Sequence, residues 1–273
     1  MIKIIKYEFV KSSFILLISL LAVIALAVGL PFVSNAGIVF FITLIPLAIY
    51  ILYIVEVIKG YSEDVNKKTG YLLFMTPYSG YHVVIAKMIA TLLKGLLLLG
   101  VYLLALLLTL SILSFKETGT FVFVTFEDIQ EMLNAISNST SGMLVFNFSD
   151  ILLFLLYTIA SAVMFVSMVY LAITLTRTIF ANNKLGWLVS IALFIGINTA
   201  LQFLFTATGV AFGLEVANPT FAMQVEANPT LVFGDFMMTQ LRKAAIIYTP
   251  LSLAISAVMV FFSGLLLEKK VNL

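Results

Sequence analysis

The residues that could bind a soluble partner are concentrated in one charged stretch, 62–77. Its charged side chains come first: Glu63, Asp64, Lys67 and Lys68. Ser62 can cap a helix here through its hydroxyl, and Pro77 ends it. Tyr71 and an apolar tip of Leu72, Leu73, Phe74 and Met75 follow. A short polar helix with an apolar tip is a surface that a soluble partner protein can bind.

Motifs for catalysis and nucleotide binding are absent from the sequence. Gly95 and Gly100 have the spacing of a phosphate-binding loop, but Val101 and Tyr102 follow where lysine and a hydroxyl residue are required. His82 is the single histidine, cysteine does not occur, and no metalloprotease or serine-hydrolase motif is present. The sequence therefore predicts no catalytic residue, metal ligand or cofactor, and His82 is interpreted as a turn or interfacial residue.

Composition indicates a membrane environment. Of the 273 residues, 62% are hydrophobic and 10% charged, and the mean hydropathy is +1.16. About 25% charged residues are typical of a soluble domain. We therefore predict an all-α membrane protein whose partners include the lipid bilayer but no nucleic acid.

Six apolar runs have about the 20 residues that a bilayer-crossing helix needs. The predicted spans are 14–32, 38–58, 95–113, 151–175, 185–205 and 246–267. The third is expected to begin as helix nearer Val83. A basic amphipathic lead, 1–12, predicts either a helix lying in the membrane interface or a positive flank that fixes topology. A cleaved signal peptide is the competing interpretation of the first run, which is long for one.

Basic residues are distributed asymmetrically around these spans. With both termini inside, only Lys116, Arg242 and Lys243 of the 15 basic residues fall outside. Because Lys and Arg that flank spans are enriched on the cytoplasmic side, we predict six transmembrane helices in the plasma membrane with cytoplasmic N and C termini. The charged loop 59–82, between the second and third spans, is then cytoplasmic.

Two segments predicted to lie outside are long enough to be structured. Segment 115–150 contains an apolar stripe at helical spacing and predicts an amphipathic helix. Segment 206–245 contains Ala-Asn-Pro-Thr twice. Since Asn caps a helix and Pro suits its first position, we expect two short helices, Pro219–Glu226 and Pro229–Leu241, either re-entrant or lying on the outer surface.

Few ionisable groups lie within the predicted spans. Glu56 is expected to pair with Lys59 one turn on, and Lys87 and Lys94 are expected to extend toward water. Proton- or ion-coupled carriers normally have buried acids or histidines near the membrane midplane. Such a carrier is therefore disfavoured, and the energy for any transport is expected from another source.

Two polar side chains stand out in the fifth span. Asn198 and Gln202 are one helical turn apart. They can line a substrate path, or they can form interhelical hydrogen bonds, each worth about 0.6 kcal/mol on average. Both interpretations remain open.

With these features the chain resembles a permease subunit of the ATP-binding-cassette exporters, the type-2 export family of the bacterial type. Its opening, Met1-Ile-Lys-Ile-Ile-Lys-Tyr-Glu-Phe9, is similar to the family's basic interfacial lead. Gly70-Tyr-Leu-Leu-Phe-Met-Thr-Pro77-Tyr-Ser-Gly-Tyr81, with Lys87 after it, is similar to the family's pattern of leucines, a small residue, proline and a lysine that opens the third span. The long segment 115–150 departs from the family and leaves the subfamily and substrate open.

The resemblance implies that the chain works with other subunits. The loop after the second span would contain the coupling helix, which docks on a separate ATPase subunit that binds ATP and Mg²⁺. The docking residues would be Glu63, Asp64, Lys67, Lys68, Tyr71, Leu72, Phe74 and Met75, with Pro77 ending the helix. A second permease chain, identical or a sister, would complete a path between the first, second and fifth spans. An amphipathic cargo is expected, such as a peptide, an antibiotic or a lipid-like molecule.

Two other classes of function remain open. A self-sufficient secondary transporter or channel would move its substrate without ATP hydrolysis. A non-transporting membrane sensor or assembly factor would leave efflux unchanged when its gene is deleted.

Overall fold

Six long α-helices make up the part of the chain that the computed structural model describes, residues 2–33, 35–66, 79–118, 148–179, 186–214 and 229–271. They are α1 (Ile2–Val33), α2 (Asn35–Asn66), α3 (Gly80–Thr118), α4 (Phe148–Ile179), α5 (Gly186–Ala211) and α6 (Pro229–Val271). Each contains a stretch long and apolar enough to cross a membrane, and no strand occurs within these ranges. The predicted all-helical fold with six membrane-crossing segments is confirmed to this extent.

Local contacts mark the residue where α3 begins and the residue where α5 ends. Ser79 precedes α3, and its carbonyl oxygen accepts a hydrogen bond of 3.0 Å from the backbone N–H of His82. After α5 the chain turns at Gly213, whose φ is 69°. The N–H of Leu214 then donates to the carbonyl oxygen of Gly209 at 2.8 Å. A left-handed glycine with this bond satisfies carbonyl groups that a helix end would otherwise leave free.

The chain forms two compact units, which are described separately. Unit 1 comprises Met1–Val124, Val169–Ala181 and Val260–Leu273, and unit 2 comprises Thr125–Met168 and Asn182–Met259. Unit 1 thus contains α1, α2, α3 and the last parts of α4 and α6. The 39-residue helix α3 is its central element, since it packs along α1 and also contacts α2.

Small side chains let α1 and α3 approach each other closely in unit 1. Ala27 of α1 and Ala105 of α3 are 0% and 1% exposed. They form one apolar cluster with Phe41 and Ile45 of α2. Between lipid-embedded helices the hydrophobic effect gives little attraction, so close van der Waals contact between small residues is a main source of association. These residues therefore hold the three helices together.

A proline in α1 frees a backbone carbonyl that α3 then contacts. Pro31 lies inside α1 and has no N–H for the carbonyl oxygen of Ala27, four residues earlier. The hydroxyl of Thr109 in α3 lies 3.2 Å from that oxygen and 2.9 Å from its own Ala105 carbonyl, so its single hydrogen is shared. The Nζ of Lys116 donates to the Pro31 carbonyl oxygen at 2.9 Å. Side chains of α3 thus satisfy the interrupted end of α1.

The same arrangement recurs, in a longer contact, between α2 and α3. Pro46 lies inside α2 and leaves the carbonyl of Ile42 without its helical partner. The hydroxyl of Tyr102 in α3 lies 3.5 Å from that oxygen. The Tyr102 ring also stacks on Phe41 with centroids 5.9 Å apart. Both prolines of the first two helices are therefore matched by a hydroxyl residue of α3.

Unit 2 is fastened by an ion pair and an aromatic contact. Nε and Nη2 of Arg242 in α6 each lie 2.6 Å from a carboxylate oxygen of Asp150. Asp150 is in the first turn of α4, where the helix dipole favours negative charge. Tyr248 of α6 donates to the carbonyl oxygen of Phe205 in α5 at 3.2 Å, with the two rings edge to face. These contacts tie α6 to α4 and α5.

Helix α2 continues past the point where the sequence predicts a new helix. Ser62 was expected to cap a short polar helix, but it lies inside α2, which ends at Asn66. This prediction is wrong because the helix continues without a break from the apolar span into the charged sequence. Contacts of Tyr61 and Glu63 with neighbouring helices, described below, hold this last part of α2 in place.

Two further predicted boundaries differ from the structure. The lead 1–12 is not a separate interfacial helix, since α1 runs unbroken from Ile2 to Val33. Pro229 does begin a helix as predicted, but that helix runs to Val271 instead of ending at Leu241. No proline or glycine follows Leu241 closely, so the local sequence does not end the helix there. The predicted amphipathic helix in 115–150 and the helix Pro219–Glu226 lie mostly or wholly outside the described residues.

Candidate functional site

The loop predicted to bind a partner is attached to one end of unit 1. Here α1 begins, α2 ends and α3 begins, and we name it the loop end. Residues 67–78 lie outside the described residues, but both attachment points are described, α2 as far as Asn66 and α3 from Gly80. A network of polar side chains lies on the turns that lead to these points, as far as Glu56 on α2 and Lys94 on α3. We name it the polar collar; its members are Glu8, Lys11, Glu56, Tyr61, Glu63, Lys87, Thr91, Lys94 and Tyr170.

Three members of the polar collar lie on one face of α3. Lys87, Thr91 and Lys94 have the spacing i, i+4, i+7, which places side chains on the same side of a helix. They are 3%, 8% and 3% exposed. Each contacts a different neighbouring helix, so this face of α3 is the hub of the network.

Lys87 forms a buried ion pair with Glu8 of α1. Its Nζ donates to Oε1 of Glu8 at 2.8 Å, and the two side chains are 3% and 6% exposed. Buried charges of this kind are stable only when paired and hydrogen-bonded. The sequence-based expectation that Lys87 extends toward water is therefore wrong, because a carboxylate within the protein replaces the solvent.

Lys94 pairs in the same way with Glu56 of α2. Its Nζ donates to Oε1 of Glu56 at 3.0 Å, with side chains 4% and 14% exposed. The ammonium also lies 6.0 Å from the ring centroid of Phe9. The predicted partner of Glu56 was Lys59, and this was wrong, since Lys94 reaches the carboxylate from the adjacent helix.

An aromatic stack joins α2 to α4 at the same level. The rings of Tyr61 and Tyr170 are 3.9 Å apart and 11° from parallel, and both residues are nearly fully buried. The hydroxyl of Tyr170 is 2.8 Å from that of Thr91. The hydroxyl of Tyr61 is buried and has no hydrogen-bond partner among the described residues. The end of α2 is thus linked to α4, and α4 to α3.

The contacts of the polar collar close on themselves. Besides the two buried pairs, Lys11 of α1 lies 3.7 Å from Glu63 of α2, with both side chains about a quarter exposed. One closed set of contacts therefore joins α1, α2 and α3, and a second joins α2, α3 and α4. A closed set resists sliding, since moving any one helix along its axis must break at least one contact.

The first turn of α3 is also packed closely on the end of α6, within unit 1. The ring of Tyr81 occupies the space that a β-carbon on Gly264 would need. A β-carbon on Gly80 would lie 3.0 Å from the carbonyl oxygen of Gly264. Tyr81 further packs on Phe261, with centroids 5.7 Å apart. Glycine at 264 is therefore required for the close approach of the two helices.

The structure describes only part of the predicted docking residues. Glu63 belongs to the polar collar, and Asp64 lies in the last turn of α2. The others lie outside the described residues: Lys67, Lys68, Tyr71, Leu72, Phe74, Met75 and Pro77. What is described is therefore the base of the predicted coupling loop.

Asn198 and Gln202 lie on α5, far from the polar collar in sequence. Asn198 is half-buried and Gln202 is exposed. Thr199 and Thr206 direct their hydroxyls to carbonyl oxygens of their own helix. Gln202 is thus a polar side chain exposed on an apolar span of the single chain. This position fits either interpretation made from the sequence, a substrate path or an interhelical hydrogen bond.

Sequence reasoning missed the partners in the polar collar. Glu8 and Lys87 are 79 residues apart and Glu56 and Lys94 are 38 apart, so no local pattern connects them. The spacing of the two lysines could nevertheless have indicated that they have partners. Two lysines seven residues apart on one apolar helix must share a face, and pairing with acids of neighbouring helices is one way in which a span can keep both.

The contacts of the polar collar are of the kind that hold helices together. Its acids are each paired with a lysine, the hydroxyls of Thr91 and Tyr170 face each other, and the Tyr61 hydroxyl has no partner among the described residues. In the described ranges, no three His, Asp or Glu side chains come together as metal ligands would. In comparisons with protein-family models, curated proteins and solved structures, nothing matches this chain.

Proposed function

We propose that the chain is the transmembrane permease subunit of an ATP-binding-cassette exporter. In this proposal the loop 59–82 docks on a separate ATPase subunit, which binds ATP and Mg²⁺, and this chain forms the substrate path. The observation that carries the proposal is the polar collar, which anchors both attachment points of that loop to the surrounding helices. A loop that only connects two spans needs no such anchoring. A loop through which a partner moves the helices does.

The burial of charge in the polar collar supports this interpretation. Removing a lysine and a glutamate from water is costly, and a well-packed apolar pair is often as stable. The two buried pairs are therefore poorly explained as a device for stability alone. Ion pairs do fix the position of one helix against another, since both the distance and the register of the charges must match. Helices that a partner protein moves by displacing the loop need such a fixed register relative to one another.

The distribution of exposed apolar surface supports assembly with a second permease chain. Within unit 1, 17% of the residues in the most apolar stretch of α1 and of α2 are buried, against 28% in α3. From the resemblance, α1, α2 and α5 would line the path between two chains. Gln202 on the exposed side of α5 would then face that path. The second chain is identical or a sister.

The orientation and cargo complete the proposal. The loop end is cytoplasmic in the plasma membrane, since the basic flanks of the spans lie there. Exposed apolar walls favour an amphipathic cargo, such as a peptide, an antibiotic or a lipid-like molecule. The competing functions, a secondary transporter or channel and a membrane sensor, use no ATPase.

Co-purification with an ATPase tests the proposal. An affinity-tagged chain, extracted from its native membrane in mild detergent, is expected to bring an ATPase with it. Phe74→Ala and the charge reversal Lys67→Glu/Lys68→Glu should each abolish this association while membrane insertion is unchanged. Phe115→Ala is the matched control, because Phe115 is an exposed phenylalanine near the opposite end of α3.

Two results would contradict the proposal. One is association that persists in both loop variants, which would place the ATPase contact elsewhere. The other is ATP-independent movement of a fluorescent amphipathic dye into vesicles that contain the wild-type chain alone. That result would favour the secondary transporter or channel.

A further inference from the structure

We infer that Lys87 and Lys94 are positioning residues of the coupling site, which fasten α1 and α2 to the loop-bearing end of α3. Through Glu8 and Glu56 they make α1, α2 and α3 move together at the loop end when the ATPase displaces the loop. This inference rests on the proposed function and adds to it the route by which movement reaches α1.

Helix α1 has no direct covalent connection to the loop. The loop is covalently continuous with α2 and α3, whereas α1 joins it only through the whole length of α2. A helix separated in this way follows the loop only if side chains fasten it there. The described contacts of α1 at the loop end include two ion pairs, Lys87–Glu8 and Lys11–Glu63.

The two ion pairs differ in strength, and this decides which one transmits movement. Lys11 and Glu63 are 3.7 Å apart, with side chains 24% and 27% exposed. Exposed pairs of this kind contribute little, because water and salt screen them. Lys87 and Glu8 are 2.8 Å apart and 3% and 6% exposed, so screening is small and separation leaves two charges unpaired in the protein interior. Of the two ion pairs, the one between Lys87 and Glu8 is therefore the stronger link between α1 and the loop-bearing part of α3, and it lies beside the apolar contact of Ile4 with Val83 and Ala86.

Lys94 performs the same task toward α2. Both ends of the loop, α2 and α3, are joined by Lys94 and Glu56 and, through α4, by the Tyr61–Tyr170 stack and Thr91. When a partner that pushes the loop moves α2 and α3 apart, it therefore works against these contacts. The loop is displaced as a whole, and α1 follows.

Neutralising a buried pair should separate ATP hydrolysis from helix movement. The test variant is Glu8→Gln/Lys87→Met, which removes both charges and leaves neither unpaired. The reversed pair, Glu8→Lys/Lys87→Glu, should restore coupling if opposite charge at this contact is what matters. Lys116→Met is the matched control, because Lys116 also joins α3 to α1, but near the other end of α3.

The readout is a single nitroxide on α1 in the complex with the co-purified ATPase, in lipid nanodiscs. The chain has no cysteine, so Ser13→Cys, at an exposed position, gives one labelled site. Between the nucleotide-free and vanadate-trapped states we expect a change in label mobility in the otherwise wild-type, Lys116→Met and reversed-pair complexes. The neutral pair should hydrolyse ATP at close to the wild-type rate and lose this change.

The outcomes separate the inference from the proposed function. If the neutral pair keeps the nucleotide-dependent change, the inference is wrong while the permease function stands. The same holds if the wild-type complex hydrolyses ATP and the α1 label never responds. If no ATPase co-purifies with the wild-type chain, the proposed function fails first.

A second measurement needs no ATPase. Nitroxides at Phe14→Cys and Leu93→Cys, both exposed positions, report the distance between α1 and α3 in the chain alone. A narrow distance distribution that broadens in the neutral pair and narrows again in the reversed pair supports the fastening. A distribution that all variants share overturns it.

Discussion

The hydroxyl oxygen of Thr109 in α3 lies 3.2 Å from the carbonyl oxygen of Ala27 in α1. This is the oxygen that Pro31 leaves without a helical N–H. In the interior of a membrane no water can take the place of that N–H, so a neighbouring helix must supply the donor. The pair shows how α1 can contain a proline and remain one helix.

This contact predicts that the effects of substituting Thr109 and Pro31 on the free energy of unfolding are not additive. Thr109→Val should lower the free energy of unfolding by about 1–3 kcal/mol, the range expected when a buried carbonyl loses its donor. In a Pro31→Ala background the same substitution should cost much less, because the alanine introduced there has a backbone N–H that binds the Ala27 carbonyl. Reversible unfolding in sodium dodecyl sulfate mixed micelles measures both steps.

The control for this cycle is Thr158→Val in α4. Thr158 is exposed and donates only within its own helix, to the carbonyl oxygen of Phe154. Its substitution should change stability little in either background. Equal losses for Thr109→Val with and without Pro31 would mean that the hydroxyl serves its own helix through Ala105.

The buried ion pair of Lys87 and Glu8 predicts an asymmetry between single and double substitutions. Lys87→Met alone leaves the Glu8 carboxylate unpaired in the interior and should destabilise the chain by about 3–5 kcal/mol. Glu8→Gln/Lys87→Met should recover most of that loss, since no unpaired charge remains. The same micelle unfolding assay measures it, and a double variant as unstable as the single one would contradict the description of this contact.

Glycine substitutions should have opposite effects at two positions. Gly264→Ala places a methyl group where the Tyr81 ring lies, and overpacking of this kind typically costs about 1–3 kcal/mol. Gly100→Ala meets nothing within 4 Å and should stabilise α3 by roughly 0.5–1 kcal/mol through backbone entropy. Thermal unfolding in detergent compares them, and a destabilising Gly100→Ala would show that another surface packs there.

The predicted orientation can be measured because the chain has no cysteine. Ser79→Cys, at the loop end, should be protected from a membrane-impermeant maleimide in intact cells and react after permeabilisation. Phe212→Cys, just after α5, should react in intact cells. Both positions are exposed, so protection would reflect the membrane and not burial. The reverse pattern would place the loop outside and exclude its docking on a cytoplasmic ATPase.

Sequence reasoning succeeded where one segment decides its own structure. Apolar length fixed the six helices, and the Asn-Pro signal located the start of α6 at Pro229. It failed where a choice depends on a neighbour. Ser62 has the residue type of a helix cap, yet α2 passes through it, since the flanking Tyr61 stacks on Tyr170 and Glu63 lies near Lys11.

The sequence by itself predicted six segments able to cross a bilayer, and each is helical in the part of the chain that the structure describes, because apolar length and composition act locally. It also predicted the side of the membrane on which the charged loop lies. Only the tertiary structure decided which charges meet. Glu56 had a lysine one turn away in sequence and nevertheless pairs with Lys94. A buried lysine needs a carboxylate at hydrogen-bond distance, and the packing of α1, α2 and α3 decides which carboxylate can be there.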